Sequence, residues 1–390
     1  MSKILLIAPI PTHPSETGAS ARVRHMAEGL RSLGHETHFL HLQQTLRADD
    51  AGLRAFWKDH LHVFRSLSPA SFIGRGRRKL VRLIGKTFHL NLPVDSYVDP
   101  EAERYVRRLL LGGGFEAVIV SYVFYSRLLE SVPAGVRKLI DTHDVFSDRY
   151  RLYRKHGQAN EFFSTGKADE ARALDRADAV LAIQEWDANH FRALTTRPVA
   201  VVGHLAPVVE AGPAAGVQSP PAMLFVGGPM GINVHGVTWF IERVLPSVRR
   251  HVPEAELWLV GGIGRRIDHG SPALRRFGFV DEIRDVYRQA AVVINPQQFG
   301  TGLSIKSVDA LLHARPLVTT ASGGRGLEDG AGIAFRQAES AEEFAQLLVE
   351  LLLDPERAAA LAWCAAEFAA AYHQRNLQAL ARVVSVPSPR

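Results

Sequence analysis

Residues 296–316 read PQQFGTGLSIKSVDALLHARP, a stretch whose residue types and spacing can do chemistry. Gly300 and Gly302 permit a sharp turn, and residues 303–313 carry a helical pattern that Pro316 stops. The residues just before them, 292–295, form a buried-strand run, so a helix N-terminus is expected just past a strand's carboxyl end. Such a junction offers free amide donors and a partial positive charge, which suit phosphate. Lys306 lies one turn inside, and Asp309 follows three residues later on the same face. A cation for phosphate then stands beside a carboxylate able to accept hydrogen bonds from two vicinal hydroxyls, the pattern a ribonucleoside diphosphate requires. A glycine turn of ordinary α/β type remains the alternative on this stretch alone. A P-loop is excluded, because Ile305 rather than glycine precedes Lys306 and Ser307.

The elements that must position these groups alternate along the chain. Residues 3–8 predict a buried parallel strand, followed by a loop and a helix over about 19–33, then a strand over 36–42. Further strands are expected at 117–121, 138–141 and 179–183, with helices at 100–111, 126–130 and 185–194, and residues 199–202 are expected to lead out of the domain. Residues 206–222, rich in Pro, Gly and Ala without periodicity, read as a linker. Alternation then restarts, with strands at 223–226, 257–260, 277–280, 291–294, 316–319 and 332–335 and a helix over 237–252. The pattern predicts doubly wound parallel sheets in two domains, 1–205 and 223–390, facing a cleft.

At 390 residues, with 46% apolar and 22% charged side chains, the composition is that of a globular protein and excludes disordered and fibrous classes. The amino-terminal apolar run is too short to span a bilayer and lacks a small-residue cleavage site, and Cys364 is the sole cysteine, so a cytoplasmic protein is expected. The net charge of +6 is local: residues 54–88 hold nine Lys or Arg against Asp59, and the rest of the chain is slightly acidic. This argues for one cationic patch rather than a nucleic-acid surface. Within an insertion over about 43–93, Leu80, Leu83, Ile84 and Phe88 mark one face of a helix whose other faces carry Arg77, Arg78, Lys79, Arg82 and Lys86. Such a helix suits an anionic membrane surface or, alternatively, a solvated face of its own domain. His35, His38 and His41 are spaced by three, but odd spacing puts His38 and His41 on opposite faces of a strand, so no metal site is expected from them.

Taken in order, LLIAPIP, RHMAEGLRSLGHE, DTHD, LFVGG, VHGVTWFIERVLP, PEAELWLVGG, FGFVDEIRDVYRQAAVVINP, GTGLSIKSVDALLHARPLVTT and GGRGLEDG resemble the retaining GT-B glycosyltransferases known as glycosyltransferase group 1. The resemblance covers essentially the whole chain. It implies transfer of a sugar from a nucleoside-diphosphate donor to a sugar, lipid-linked or protein acceptor, with the nucleotide sugar as co-substrate and no cofactor. In that family the second acid of a two-acid motif binds the donor ribose. Asp309 matches it, shortened from the usual Glu, while Thr301 stands at the first acid's position. The turn of Gly300, Thr301, Gly302, Leu303 and Ser304 would face the donor sugar and diphosphate, and the backbone around Phe279 and Val280 would hold the base. Gly18 matches the glycine of the first loop, near the reacting centre. Many members carry an Arg and a Lys after the strand that here ends LFVGG; residues 229–235 contain neither, so phosphate neutralisation would fall on Lys306 and backbone amides. SYVFYSR lacks the family's acceptor-side histidine. His143, in DTHD, is then the histidine expected to act in catalysis, with a structural loop histidine paired to Asp141 or Asp144 as its alternative.

No Asp-x-Asp triplet occurs, in keeping with a metal-free donor site. The resemblance leaves two rivals: a GT-B scaffold that binds a partner with little or no turnover, and a sugar-nucleotide epimerase or phosphorylase. A role in polysaccharide or glycoconjugate synthesis, in the cytoplasm or peripherally at the inner face of a membrane, completes the expectation.

Overall fold

The computed structural model describes residues 1–13, 17–43, 51–65, 76, 83, 90–160, 162–206, 220–280 and 282–385. The expected cationic helix built on Arg77, Arg78, Lys79, Arg82 and Lys86, and most of the expected linker, lie outside these residues. The chain forms two compact units: Met1–Leu205 together with the chain from Arg375, and Ala206–Gln374. The carboxyl-terminal boundary thus differs from the expected 223–390. Leu380, Val383 and Val384, near the end of the helix Pro355–Ser385, pack into the core of the first unit.

The first unit is built on seven strands, β1 (Lys3–Ala8), β2 (Glu36–Leu42), β3 (Leu61–Phe64), β4 (Ala117–Ser121), β5 (Arg137–Asp141), β6 (Ala179–Ala182) and β7 (Val199–Val201). They pair in the order β3-β2-β1-β4-β5-β6-β7, and every pair is parallel. Period-two alternation explains why both faces are covered. Leu5 and Ile7 join Leu40, Val118 and Val120 in one core, while Ile4, Leu6 and Ala8 join Phe39, Ile119 and Leu139 in the other. Two expectations need correction here. Residues 199–202 do not simply lead out of the domain, because β7 pairs with β6. The supposed insertion contributes β3 to the sheet edge, a strand of four residues, too short to announce itself.

The second unit has six parallel strands, β8 (Ala222–Val226), β9 (Glu256–Val260), β10 (Leu274–Gly278), β11 (Val292–Asn295), β12 (Leu317–Thr320) and β13 (Arg336–Ala338), in the order β10-β9-β8-β11-β12-β13. Phe225, Leu257, Leu259, Ile294 and Val318 share its main core. Three expected elements shift. The strand placed at 277–280 lies at Leu274–Gly278, that placed at 332–335 at Arg336–Ala338, and the helix of 237–252 divides into Gly231–Arg243 and Leu245–His251. Pro246 explains the division, since it lacks an amide hydrogen and starts a new helix more readily than it continues one. Among the described residues no helix is long and apolar enough to cross a membrane.

A buried ion pair ties the first unit together. The Arg22 guanidinium donates to both Asp141 oxygens, with Nη2 at 2.6 Å from Oδ1 and Nε at 2.9 Å from Oδ2, and also to the carbonyls of Val202 and Gly203. One side chain on the helix Gly18–Ser32 thereby holds the ends of β5 and β7. Arg22→Met should cost about 3–5 kcal/mol, because it leaves a carboxylate buried without its cation. Urea unfolding followed by circular dichroism measures this, and a loss below about 1 kcal/mol would place the pair among ordinary surface bridges.

Candidate functional site

In an open parallel sheet the crevice for a ligand lies beyond the carboxyl ends of the strands, where the strand order reverses. In the second unit the reversal falls between β8 and β11. β11 runs into the loop 296–304 and the helix Ile305–Leu312, so the expected glycine turn stands at that point. Gly300 has φ +150°, and a Cβ there would come within 2.5 Å of Gln297 Nε2; Gly302 has φ +75°. Both conformations favour glycine.

The loop is strapped from below. Asn295, fully buried, donates through Nδ2 to Ser304 Oγ and Ser307 Oγ, each at 2.8 Å. Ser307 Oγ in turn donates to the Gly323 carbonyl at 2.7 Å. Thr320 Oγ1 donates to the Gln297 carbonyl, and Arg325 Nη1 to the Gly300 carbonyl at 2.7 Å. Asn295 engages the Ser304 hydroxyl, and Ser304 makes no side-chain cap to the helix; its carbonyl takes the Ser307 amide at 2.9 Å. Leu303 is buried, whereas Thr301 and Gly302 are part-exposed.

Lys306 and Asp309 are both partly buried on this helix. Lys306 Nζ lies 5.6 Å from the ring centre of Phe225 in β8, which places the ammonium over the reversal point. Burial lowers the Lys306 pKa to about 8, the charge of Asp309 partly offsetting it. Burial likewise raises the Asp309 pKa to about 7, with Lys306 opposing the shift. Phe279 and Val280 follow β10 rather than lying in it, further along the same carboxyl edge, with β9 between β10 and β8. Phe279 is exposed, and its neighbour Phe277 packs on Trp258 with ring centres 5.1 Å apart.

In the first unit the order reverses between β1 and β4. Gly18 opens the helix after β1, behind a Thr17 cap that accepts from the Ser20 amide at 3.1 Å. His143 follows β5, buried, with φ +62°, and Tyr122 follows β4 with φ +73°. Their rings stack 4.2 Å apart. Two side chains held in a left-handed conformation at adjacent strand ends mark stored backbone strain. His143 Nε2 lies 3.0 Å from Asp141 Oδ2, while Asp144 engages Arg149 and the Val145 amide. Burial alone would raise the Asp141 pKa, but Arg22 and then His143 outweigh it and hold the carboxyl well below its usual range. The fully buried Glu170 accepts from the Phe146 and Ser147 amides at 2.8 and 3.1 Å, fixing the loop that His143 begins.

Each sheet therefore gathers its own expected residues: Gly300 through Asp309 at one reversal point, Gly18 and His143 at the carboxyl edge of the other sheet. Sequence reasoning missed Arg22, Tyr122, Glu170, Asn295 and Arg325. Arg325 sat within GGRGLEDG and Asn295 at the end of the run 292–295, whereas Arg22 and Glu170 carried no local signal, since their partners are distant in sequence.

Two nucleotide-binding-type α/β units with this glycine loop define a class of two-domain transferases. Residues 17–204 match the family model described as "Glycosyl transferase 4-like domain", and residues 220–354 match "Glycosyl transferases group 1". The chain belongs to the glycosyltransferase group 1 family and has the GT-B fold. Among solved structures it is similar to sucrose-phosphate synthase from Thermosynechococcus elongatus, with 15% identity, 98% of each chain covered and a TM-score of 0.72. It is also similar to HepE from Anabaena, solved in complex with UDP and glucose, with 13% identity, 99% of this chain and 100% of that one covered and a TM-score of 0.66. A TarM variant from S. aureus, in complex with fondaparinux, alpha-GlcNAc-glycerol and UDP, gives 8% identity, the same coverage and a TM-score of 0.70. A curated protein described as an uncharacterized 44.6 kDa protein in the cps region of Klebsiella pneumoniae is 28% identical over 116 residues, 27% of this chain and 30% of that protein's length.

The pair on the helix has a testable signature. A carboxyl whose folded pKa is raised loses stability as pH climbs from 3.8 through about 7, and a lysine whose pKa is lowered regains it from about 8 towards 10.5. Asp309→Asn removes the acid limb. Between about pH 5 and about pH 7.5 the melting temperature of the variant should therefore gain on that of the wild type. A gap that stays constant over this interval would mean that Asp309 ionises without penalty.

Proposed function

We propose that the protein transfers a sugar, of hexose type, from a nucleoside-diphosphate donor to an acceptor hydroxyl with retention at the anomeric carbon, in polysaccharide or glycoconjugate synthesis. The observation that carries this is the strapped loop 296–304, with a helix N-terminus that has no side-chain cap and Lys306 at the reversal point of the second sheet. The diphosphate would sit on the amides of that N-terminus, and Lys306 would neutralise the charge that grows on the β-phosphate as the sugar leaves. Asp309 would accept from the ribose hydroxyls, the backbone at Phe279 and Val280 would hold the base, and Gly300 to Ser304 would face the sugar. His143, oriented by Asp141, would act near the acceptor, with Gly18 in the same region. No metal or cofactor is required at the donor site in this scheme. Support for a uridine donor comes from HepE and TarM, each solved with UDP.

Release of nucleoside diphosphate from a panel of UDP-, GDP- and ADP-sugars, with and without acceptor, is the primary test, with proton NMR of the product assigning its anomeric configuration. Residues 229–235 contain neither Arg nor Lys, which favours a second reading in which a donor binds with little turnover. Binding without release on any donor would select it. Interconversion of the sugar without transfer would select an epimerase.

Residue roles separate by kinetics. Lys306→Ala should raise the barrier by about 2–4 kcal/mol, more than it weakens donor binding. Asp309→Asn should cost about 1–2 kcal/mol, mainly in binding. His143→Ala should lower turnover about 10²-fold with donor affinity unchanged. Retained affinity and turnover in Lys306→Ala would remove the diphosphate from this helix.

The acceptor side carries its own charge signal. Arg54, Arg65, Arg104, Arg107 and Arg108 line a cavity of about 920 Å³ in the first unit. With the basic segment 54–88 they favour an anionic membrane surface. Arg104→Gln with Arg108→Gln should weaken pelleting with anionic vesicles by about 1 kcal/mol for each charge, and less so at high salt. Equal binding to neutral vesicles would contradict this.

A further inference from the structure

At the amino end of the first sheet, opposite the carboxyl edge that carries Gly18 and His143, four side chains from β2, β3 and the turn before β3 converge. Glu36 and His38 lie two residues apart on β2 and so face the same side. His60 ends the short turn Lys58–His60, and His62 lies in β3, whose register sets Phe39 opposite Leu61. His38 Nε2 lies 2.8 Å from Glu36 Oε1, and His38 Nδ1 lies 3.1 Å from His62 Nε2. The His38 and His60 rings stack with centres 4.3 Å apart. One ligand atom each from Glu36, His38 and His60 lie within 4.8 Å of one another.

We propose that Glu36, His38 and His60 bind a divalent transition-metal cation, zinc being the natural probe, and that this site fastens the edge strand β3 to β2. Two imidazoles and one carboxylate are a donor set such ions accept at about 2.0–2.2 Å, which spaces the ligand atoms roughly 3.3 Å apart. The observed spacing, from 2.8 Å up to within 4.8 Å, brackets that value. His62 completes the arrangement. With His38 coordinated through Nε2, its Nδ1–H points at His62 Nε2, the kind of outer hydrogen bond that fixes a ligating histidine's orientation. Phe115 packs edge-on against His38 with ring centres 5.1 Å apart and shields it from below. Lys3 lies beside these groups, its Nζ 3.4 Å from Glu36 Oε1. A metal would take its place, and the lysine side chain, part-exposed on the sheet edge, is free to swing into water.

The site has a structural consequence. β3 is four half-buried residues at a sheet edge, held on one side only. Its carboxyl end, Val63 and Phe64, with Arg65 beyond, lines the arginine cavity. A metal at its amino end would anchor that wall.

The test uses the full-length, tag-free chain stripped with chelator and titrated with zinc chloride alone. Calorimetry should give one tight site per chain, cobalt chloride should give the visible bands of a low-symmetry site, and zinc should slow amide exchange across Leu61–Phe64. Glu36 and His60 are part-exposed, so Glu36→Gln and His60→Ala should fold, each with a zinc affinity lower by at least about tenfold and no slowing of exchange. Retention of wild-type affinity in both variants would assign the zinc to other histidines and overturn the proposal, as would the absence of stoichiometric binding to the wild type.

Discussion

A buried charge needs a partner, and Asp141 shows how far that requirement reaches. The carboxylate lies in the core at the end of β5, and Arg22 reaches it from the helix after β1. The same guanidinium satisfies two carbonyls at the end of β7, so three segments distant in sequence are fixed by one planar fork. A lysine carries one point charge and could not do this. The desolvation cost of such a pair is large, and well-packed apolar residues would stabilise the core as well or better. What the ions add is position. Asp141 is held ionised and oriented, and its Oδ2 faces His143 at 3.0 Å, so the histidine inherits the geometry of the pair.

The second unit solves the same problem with neutral groups. Asn295, at the end of β11, binds two serine hydroxyls of the loop and helix, and Ser307 passes the connection to the Gly323 carbonyl. A loop restrained at Gln297, Gly300 and Ser304 presents its amides in a fixed direction, which is the condition for stabilising charge that appears only during a reaction. In both units the strain and polar satisfaction sit beneath the loops, while the loops themselves remain open.

The fold was largely legible because both sheets are parallel and covered on both faces, and such strands advertise themselves as short apolar runs. β1, β2 and β4 fall where the pattern put them. β10 and β13 slipped because their sequences, LRRFG and RQA, are polar edge strands whose pairing, not composition, defines them. β3, LHVF, was hidden by its four-residue length at the sheet edge. Of the site, the stretch Gly300 to Asp309 is local in sequence and could be read from spacing. Arg22 could not, because nothing in ARVRH distinguishes the buried arginine from the part-exposed Arg24; only the third dimension brings Asp141 to it. Tyr122 is similarly silent, its left-handed backbone having no residue signature. Spacing along β2 alone, with His38 and His41 on opposite faces, offers no metal site. The cluster that does form crosses from β2 to the residues around β3, a pairing that sequence spacing cannot reveal.

The charge inventory around the glycine loop is sparse, and that has a physical consequence. Residues 229–235 bring no cation, and Arg325 donates to the Gly300 carbonyl, shaping the turn. Lys306 is then the nearest ammonium on the helix, and burial has already lowered its pKa to about 8. A dianionic group placed on this helix restores the proton's hold on Lys306, so binding and ionisation reinforce each other. The same event separates Lys306 electrostatically from Asp309, whose own pKa stands at about 7 and whose carboxylate the ammonium partly supports. The helix is therefore least comfortable when empty near neutral pH, and a ligand with one anionic and one hydroxyl-rich end relieves both members of the pair at once. That match between a costly empty site and a two-ended ligand is stronger grounds for a nucleotide there than either residue alone.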